Sequence, residues 1–141
     1  MESNNPFTGD PILCETPSWA VVLSWYQYHL GRLIIYAKAP AERVGHLNQA
    51  VQLELFALIG RLERALEHAF QPDLFNIACL RNEVRWMHWH LIPRYATPRE
   101  LAGQQFVDER FGQNYTPYPK AVAPVALRTA IAQAILDQLG D

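Results

Sequence analysis

Apolar and polar positions follow two different periods along the chain. Trp19 to Leu23 is β-branched and aromatic, the turn-like Tyr28, His29, Leu30 and Gly31 follow, and Arg32 to Tyr36 is apolar again. Two short runs joined in this way predict a β-hairpin. After Lys38, Ala39 and Pro40 the spacing changes, and Leu47, Val51, Leu55, Leu58, Ile59, Leu62, Leu66 and Ala69 recur in steps of three and four. That stripe predicts an amphipathic helix over about 47–70, with Gln52, Arg61, Glu63, Arg64 and Glu67 on the opposite face and Pro72 closing it.

Two further apolar stretches, Leu74 to Leu80 and Trp86 to Ile92, flank the polar Arg81, Asn82 and Glu83 and predict a second antiparallel hairpin. Alternate side chains of a strand share a face, so Trp86, His88, His90 and Ile92 point one way and Met87, Trp89 and Leu91 the other. The Met87, Trp89 and Leu91 face is the one expected beneath the long helix, which leaves the histidine face free for chemistry. Beyond Pro93, Arg94 and Tyr95 the chain reads as loop-rich, with Pro98, Pro117 and Pro119. A final helix over about 125–139 presents Val125, Leu127, Ile131, Ile135, Leu136 and Leu139 as its apolar side. The expected fold class is α+β: an antiparallel sheet with one long crossing helix and a C-terminal helix.

With 141 residues, of which 50% are hydrophobic and 18% charged, the chain is long and apolar enough for one packed core. Lys+Arg number 12 against 14 Asp+Glu, and a formal net charge of -2 gives no general attraction to nucleic acid or an anionic membrane. Any phosphate must therefore be met by a local site. The longest apolar runs, Ala20 to Leu23 and Leu33 to Tyr36, fall far short of the roughly 18 residues a bilayer span needs. Met1 to Asp10 is polar and acidic, unlike an export signal, so a cytoplasmic protein is expected. Cys14 and Cys79 lie in apolar surroundings without a partner at metal or redox spacing, which fits buried thiols in a reducing compartment better than a disulfide.

The seven glycines are scattered, and neither G-x-G-x-x-G nor G-x-x-x-x-G-K-[ST] occurs, so the phosphate-cradling loops of dinucleotide and P-loop folds are missing. No G-x-S-x-G elbow or HExxH helix occurs either. The remaining candidates are His88 and His90, whose strand spacing puts their rings roughly 6.6 Å apart on one face. Imidazole offers a lone pair near neutral pH without first losing a proton. Spacing alone is equally compatible with two strand histidines that simply hydrogen-bond on a half-buried face. A zinc site would need a third ligand, and none stands at an evident spacing. His29 in a turn, His46 before the helix and His68 on it are expected to be solvated or capping groups.

The run Trp86, Met87, His88, Trp89, His90, Leu91, Ile92, Pro93, Arg94, Tyr95 resembles the signature of the histidine triad (HIT) family, H-φ-H-φ-H-φ-φ with an I-P-R continuation, where φ is apolar. Gln27 to Arg32 before the strand Leu33 to Tyr36, Phe75-Asn76-Ile77, and Asn82-Glu83-Val84 are similar to the family's order of elements. Phe106, Asp108, Phe111, Gly112, Tyr115 and Pro117 are similar to the tail of a bacterial branch, so the likeness runs from about Trp19 to Pro117.

The resemblance implies a single HIT-like domain over 1–141, with its core at about 13–117 and its C-terminal helix at about 125–139. It implies a nucleotide hydrolase or transferase that attacks the phosphorus of a dinucleoside polyphosphate or nucleoside phosphoramidate through a covalent nucleotidyl-histidine. The family works without a metal or other cofactor in the site, usually as a homodimer whose sheets join. By motif position His88 matches the nucleophile, and His90 the third histidine that supports phosphate and nucleophile. Asn76, Asn82, Trp86 and Gln27 are expected to contact substrate. Some relatives act on DNA ends, but the net acidity and lack of a basic stripe argue against a nucleic-acid partner here.

Two positions depart from the pattern. Trp86 replaces the first triad histidine, and an indole has only one N–H donor and no acceptor, so it cannot relay a proton. Glu83 stands where many relatives carry a small hydroxyl residue, and an ionised carboxylate there would repel substrate. A nucleotide-binding module with reduced or lost catalysis is therefore the alternative.

Overall fold

The computed structural model describes residues 5–140, so the first four residues of the polar Met1–Asp10 stretch lie outside the described residues. Strands β1 (Ile12–Glu15), β2 (Trp19–Leu23), β3 (Leu33–Ala37), β4 (Leu74–Ala78) and β5 (His88–Arg94) form one sheet in the order β1-β2-β3-β5-β4. Every neighbouring pair is antiparallel. Helix α1 (Gln49–Phe70) connects β3 to β4, and α2 (Val125–Leu139) packs against it. The fold is α+β, as the pattern predicts.

Both hairpins form. β2 pairs with β3 from Trp19 opposite Ala37 to Leu23 opposite Leu33, and β4 pairs with β5 from Leu74 opposite Arg94 to Ala78 opposite His90. The β3–β5 pairing joins the hairpins and sets Tyr36 opposite His88 and Ile34 opposite His90. Period-two alternation then decides what each face does. Trp19, Val21, Leu33, Ile35, Met87 and Leu91 enter one core with Leu55, Leu62 and Leu66 of α1 and Ile131 and Ile135 of α2, and Trp89 packs against its edge. On the other face Ala20, Val22, Tyr36 and Trp86 form a smaller cluster with Phe7, Ile34 and Val84.

Helix α1 starts at Gln49 because the Asn48 side chain caps it, its Oδ1 accepting from Val51 N at 2.9 Å. It ends at Gln71, which takes the left-handed conformation (φ 51°) and donates its N–H to Glu67 O. The β2–β3 turn sits directly on this helix. Gly31 has φ +86°, and a Cβ there would lie 2.9 Å from Leu66 Cδ2 and 3.1 Å from the Phe70 ring, so only glycine permits the approach.

Three sequence expectations need correction. β1 was not expected: it is a four-residue edge strand with an irregular register between Ile12 and Cys14, too short and broken to alternate. The stretch after Tyr95 is not all loop, since β6 (Arg99–Leu101) and β7 (Gln104–Phe106) pair across Ala102 and Gly103, both at positive φ. Their polar residues Arg99, Glu100, Gln104 and Gln105 leave no alternation to read. In α2, Ile131 and Ile135 are buried as expected, whereas Val125 and Leu136 are exposed because only a narrow stripe of this helix meets α1. Cys14 and Cys79 are free thiols, half-buried rather than fully enclosed, and burial raises the pKa of both.

Beyond β7 the chain returns over the sheet face opposite the helices, held there by Arg94. This buried side chain bonds Asp108 through Nε (2.7 Å) and Nη2 (3.1 Å), Asn76 Oδ1 and Gln113 O through Nη1 (2.7 and 2.9 Å), and Arg110 O through Nη2 (2.9 Å). All the N–H donors of a guanidinium are thereby satisfied. Burial alone would raise the Asp108 carboxyl, but hydrogen bonds from Arg94 and the Tyr95 N–H, together with Arg94's charge, hold it below the usual carboxylate range. A carboxyl lowered in the folded state adds stability above its unfolded pKa and loses it as pH falls through the folded value. Asp108→Asn, which strips Arg94 of its counter-charge, is expected to cost about 3–5 kcal/mol in denaturant unfolding. The variant's stability should also fall less steeply below about pH 4. An unchanged unfolding midpoint and acid limb would show that the pair does not hold this segment.

Candidate active site

On the sheet face away from the helices lies a cleft of about 450 Å³, within the size range of small-molecule sites. Its floor includes His88 and His90 of β5, Ile34 of β3 and Arg32 at the end of the β2–β3 turn. One rim is the β4–β5 loop with Arg81, Asn82 and Glu83, and the other is the returning chain with Tyr115, Tyr118 and Lys120.

His88 is only 6% exposed, yet it stands on the cleft wall and not under a helix. Its Nδ1 lies 2.7 Å from Trp86 O. A carbonyl oxygen only accepts, so Nδ1 carries the proton and donates, and in the neutral ring Nε2 keeps its lone pair. Burial lowers the pKa of His88, the Trp86 carbonyl partly opposes that, and the Arg81 charge lowers it further. The ring is therefore neutral at pH 7. Phe7 packs 4.9 Å from it and stacks on Tyr36 at 5.6 Å, covering one side of the His88 ring.

His90 sits beside it, ring centroids 5.0 Å apart and planes at 76°. Burial first, then the charge of Arg32 and the neighbouring His88, push its pKa down to about 3. Its Nδ1 is 3.1 Å from Nη2 of Arg32. Arg32 is itself buried beneath two tyrosines, with its guanidinium carbon 5.3 Å from the Tyr115 ring centroid and 5.0 Å from that of Tyr118.

Of the residues expected at the substrate, the structure brings His88, His90 and Asn82 to the cleft, together with Glu83. Trp86 is turned into the small cluster with Ala20, Val22 and Tyr36, and its Nε1 donates to Ala37 O at 2.7 Å. What it contributes to the site is its backbone carbonyl, which a residue of any type could supply. Asn76 points to Arg94, and Gln27 is buried in the β2–β3 turn, neither of them on the cleft wall. Gln27 donates Nε2 to Ser24 O and Arg32 O (2.9 and 3.0 Å) and accepts from Gly31 N at 2.8 Å. Its work is to hold the turn that presents Arg32.

His29, expected to be solvated, is instead 1% exposed. Tyr28, Tyr115 and Tyr118 enclose it edge-on, and neither ring nitrogen has a hydrogen-bond partner among the described residues. Burial is the chief cause that lowers its pKa to about 4. Arg32, Tyr115 and Tyr118 were not singled out from the sequence. An arginine beside a turn glycine reads as surface until the returning chain is known to cover it. Among the described residues no group of three or more His, Cys, Asp or Glu side chains lies close enough to hold a metal ion. None of the described helices is long and apolar enough to cross a membrane.

Residues 23–97, just over half of the chain, match the model of the HIT domain. No curated protein matches the sequence. Among solved structures, a histidine triad protein from Bradyrhizobium japonicum superimposes with a TM-score of 0.71 at 21% identity, covering 96% of this chain and 96% of the other. A histidine triad protein from Sinorhizobium meliloti gives a TM-score of 0.71 at 19% identity over 90% of this chain and 87% of that one. A zinc-bound histidine triad family protein from Mycobacterium smegmatis gives 0.62 at 14% identity over 90% and 86%. At these identities the likeness is one of fold.

Lowered pKa values near 4 for His29 and near 3 for His90 mean that both rings stay neutral well below pH 6. A pH titration followed by imidazole NMR should show neither residue protonating between about pH 8 and 5. A midpoint near the ordinary histidine value for either would contradict their burial.

Proposed function

The chain belongs to the histidine triad family of nucleotide-binding hydrolases and transferases, and we propose that it cleaves a nucleoside phosphate derivative with His88 as a covalent nucleophile. The observation that supports this reading most strongly is the His88 ring itself. Its proton is held at Nδ1 by Trp86 O, and its Nε2 lone pair is left on a cleft of nucleotide size. In the first step Nε2 forms a bond to phosphorus as the bond to the leaving group breaks. In the second, water attacks the same phosphorus, the N–P bond breaks, and the water's proton passes to solvent. Covalent catalysis of this kind divides one difficult substitution into two easier ones. Charge developing on the nonbridging oxygens is met by fixed donors on the cleft, His90 and Asn82 foremost.

The two neutral histidines bring no excess proton, and the Trp86 N–H is committed to Ala37 O. A phosphate leaves as a stable anion without being protonated, whereas an amine does not. This favours dinucleoside polyphosphates over phosphoramidates as substrates. Phe7, Trp25 and Tyr26 line the cleft as surfaces on which a base can stack. β4 ends the sheet and exposes Leu74 and Ile77, which suits a homodimer whose sheets join there. Glu83 on the rim favours the second reading, a nucleotide-binding module with reduced turnover, because it puts a carboxylate on the wall of a cleft that would have to admit phosphates.

His88→Ala should reduce hydrolysis of a dinucleoside polyphosphate by at least about 1,000-fold while leaving the thermal unfolding transition in place. Turnover equal to that of the unaltered protein would rule out the nucleophile assignment. Removing the rim charge in Glu83→Gln should lower KM about fivefold, the effect of roughly 1 kcal/mol of screened repulsion. A raised KM would mean that Glu83 binds substrate instead of opposing it.

A further inference from the structure

Arg32 is a buried cation on the cleft that neither the motif nor the proposed chemistry assigns. A guanidinium is a permanent cation and a donor only, and a buried one is ordinarily matched by a carboxylate. Among the described residues Arg32 has no carboxylate partner, its side chain being neighboured instead by Tyr115 and Tyr118. Its Nε and Nη1 are sealed from solvent with no hydrogen-bond partner, so those atoms are closed to a ligand in the cleft. Its Nη2 lies 3.1 Å from His90 Nδ1.

Because Nη2 can only donate, His90 Nδ1 must accept, and the proton of the neutral ring sits at Nε2. His88 has the opposite tautomer, enforced by the Trp86 carbonyl. We propose that Arg32 is a positioning residue that fixes His90 as the Nε2–H tautomer, so that His90 is always a neutral donor to the phosphoryl oxygen while His88 is always an acceptor at phosphorus. The positive charge behind the His90 ring polarises that donor without touching the substrate. Gln27 holds the Arg32 backbone, and the two tyrosines cover its side chain. Thus three residues outside the histidine motif converge on the orientation of one imidazole. The catalytic consequence rests on the nucleotidyl-transfer reading, but the tautomer does not.

The test is long-range ¹H–¹⁵N NMR of histidine-labelled, ligand-free protein, for the unaltered chain, Arg32→Lys and Arg32→Met. Expected are an unprotonated Nδ1 and protonated Nε2 at His90 in the unaltered chain, the same in Arg32→Lys, and a mixture of tautomers in Arg32→Met. With a dinucleoside polyphosphate, Arg32→Met should lose up to about 100-fold in kcat with a smaller change in KM, and Arg32→Lys should recover part of the kcat. A proton on Nδ1 of His90 in the unaltered chain, or an Arg32→Met tautomer identical to the original, overturns the proposal. The unaltered spectrum decides even if Arg32→Met fails to fold. Absence of hydrolysis by the unaltered protein would count against the proposed function while leaving the tautomer result intact.

Discussion

A histidine is useful as a nucleophile only if one ring nitrogen is bare and aimed, and here that condition depends on a single hydrogen bond from His88 Nδ1 to the carbonyl of Trp86. The acceptor lies two residues before the donor, just ahead of β5, so the bond is set by the local path of the chain as it enters the strand. The β3–β5 register carries the rest. It turns Met87 and Leu91 into the core beneath α1 and turns His88 and His90 out toward the cleft. A slip of one residue would exchange the two sets and bury the imidazoles against the helix. The many apolar contacts on the helix side are thus what hold the chemical side in place.

The two buried arginines show how similar residues serve different ends. Arg94 uses its full set of donors to bind the returning chain to the sheet, with Asp108 neutralising its charge. Arg32 makes one bond to another side chain, leaves two of its nitrogens without partners, and is covered by aromatic rings. A buried charge kept so poorly compensated costs stability, and such costs are concentrated at functional sites. The first arginine fixes where the returning chain lies. That chain then brings Tyr115 and Tyr118 over the second.

The elements with long or strongly periodic patterns were legible in the sequence: α1, both hairpins, α2 and the two faces of β5. The short polar strands β6 and β7 were not, because three residues with side chains such as Glu100 and Gln105 carry no hydrophobic period. In the site, the strand spacing put His88 and His90 on one face, and only the likeness to the family signature singled them out for chemistry. Gln27, Asn76 and Trp86 were expected at the substrate because of the family resemblance, but their polar atoms are committed to Arg32 O, Arg94 and Ala37 O. Arg32 went unnoticed and His29 was taken for a solvated or capping group for the converse reason. Their burial is imposed by residues more than 80 positions later in the chain, a contact no local pattern encodes.

The most direct measurement is rapid-quench mass spectrometry of the protein mixed with a dinucleoside polyphosphate and stopped in base, with fragmentation to locate any adduct. The nucleophile reading requires a nucleoside monophosphate on the peptide that contains His88, placed on His88 itself, appearing before product accumulates. Product formation with no adduct, or an adduct on a different side chain, would contradict it.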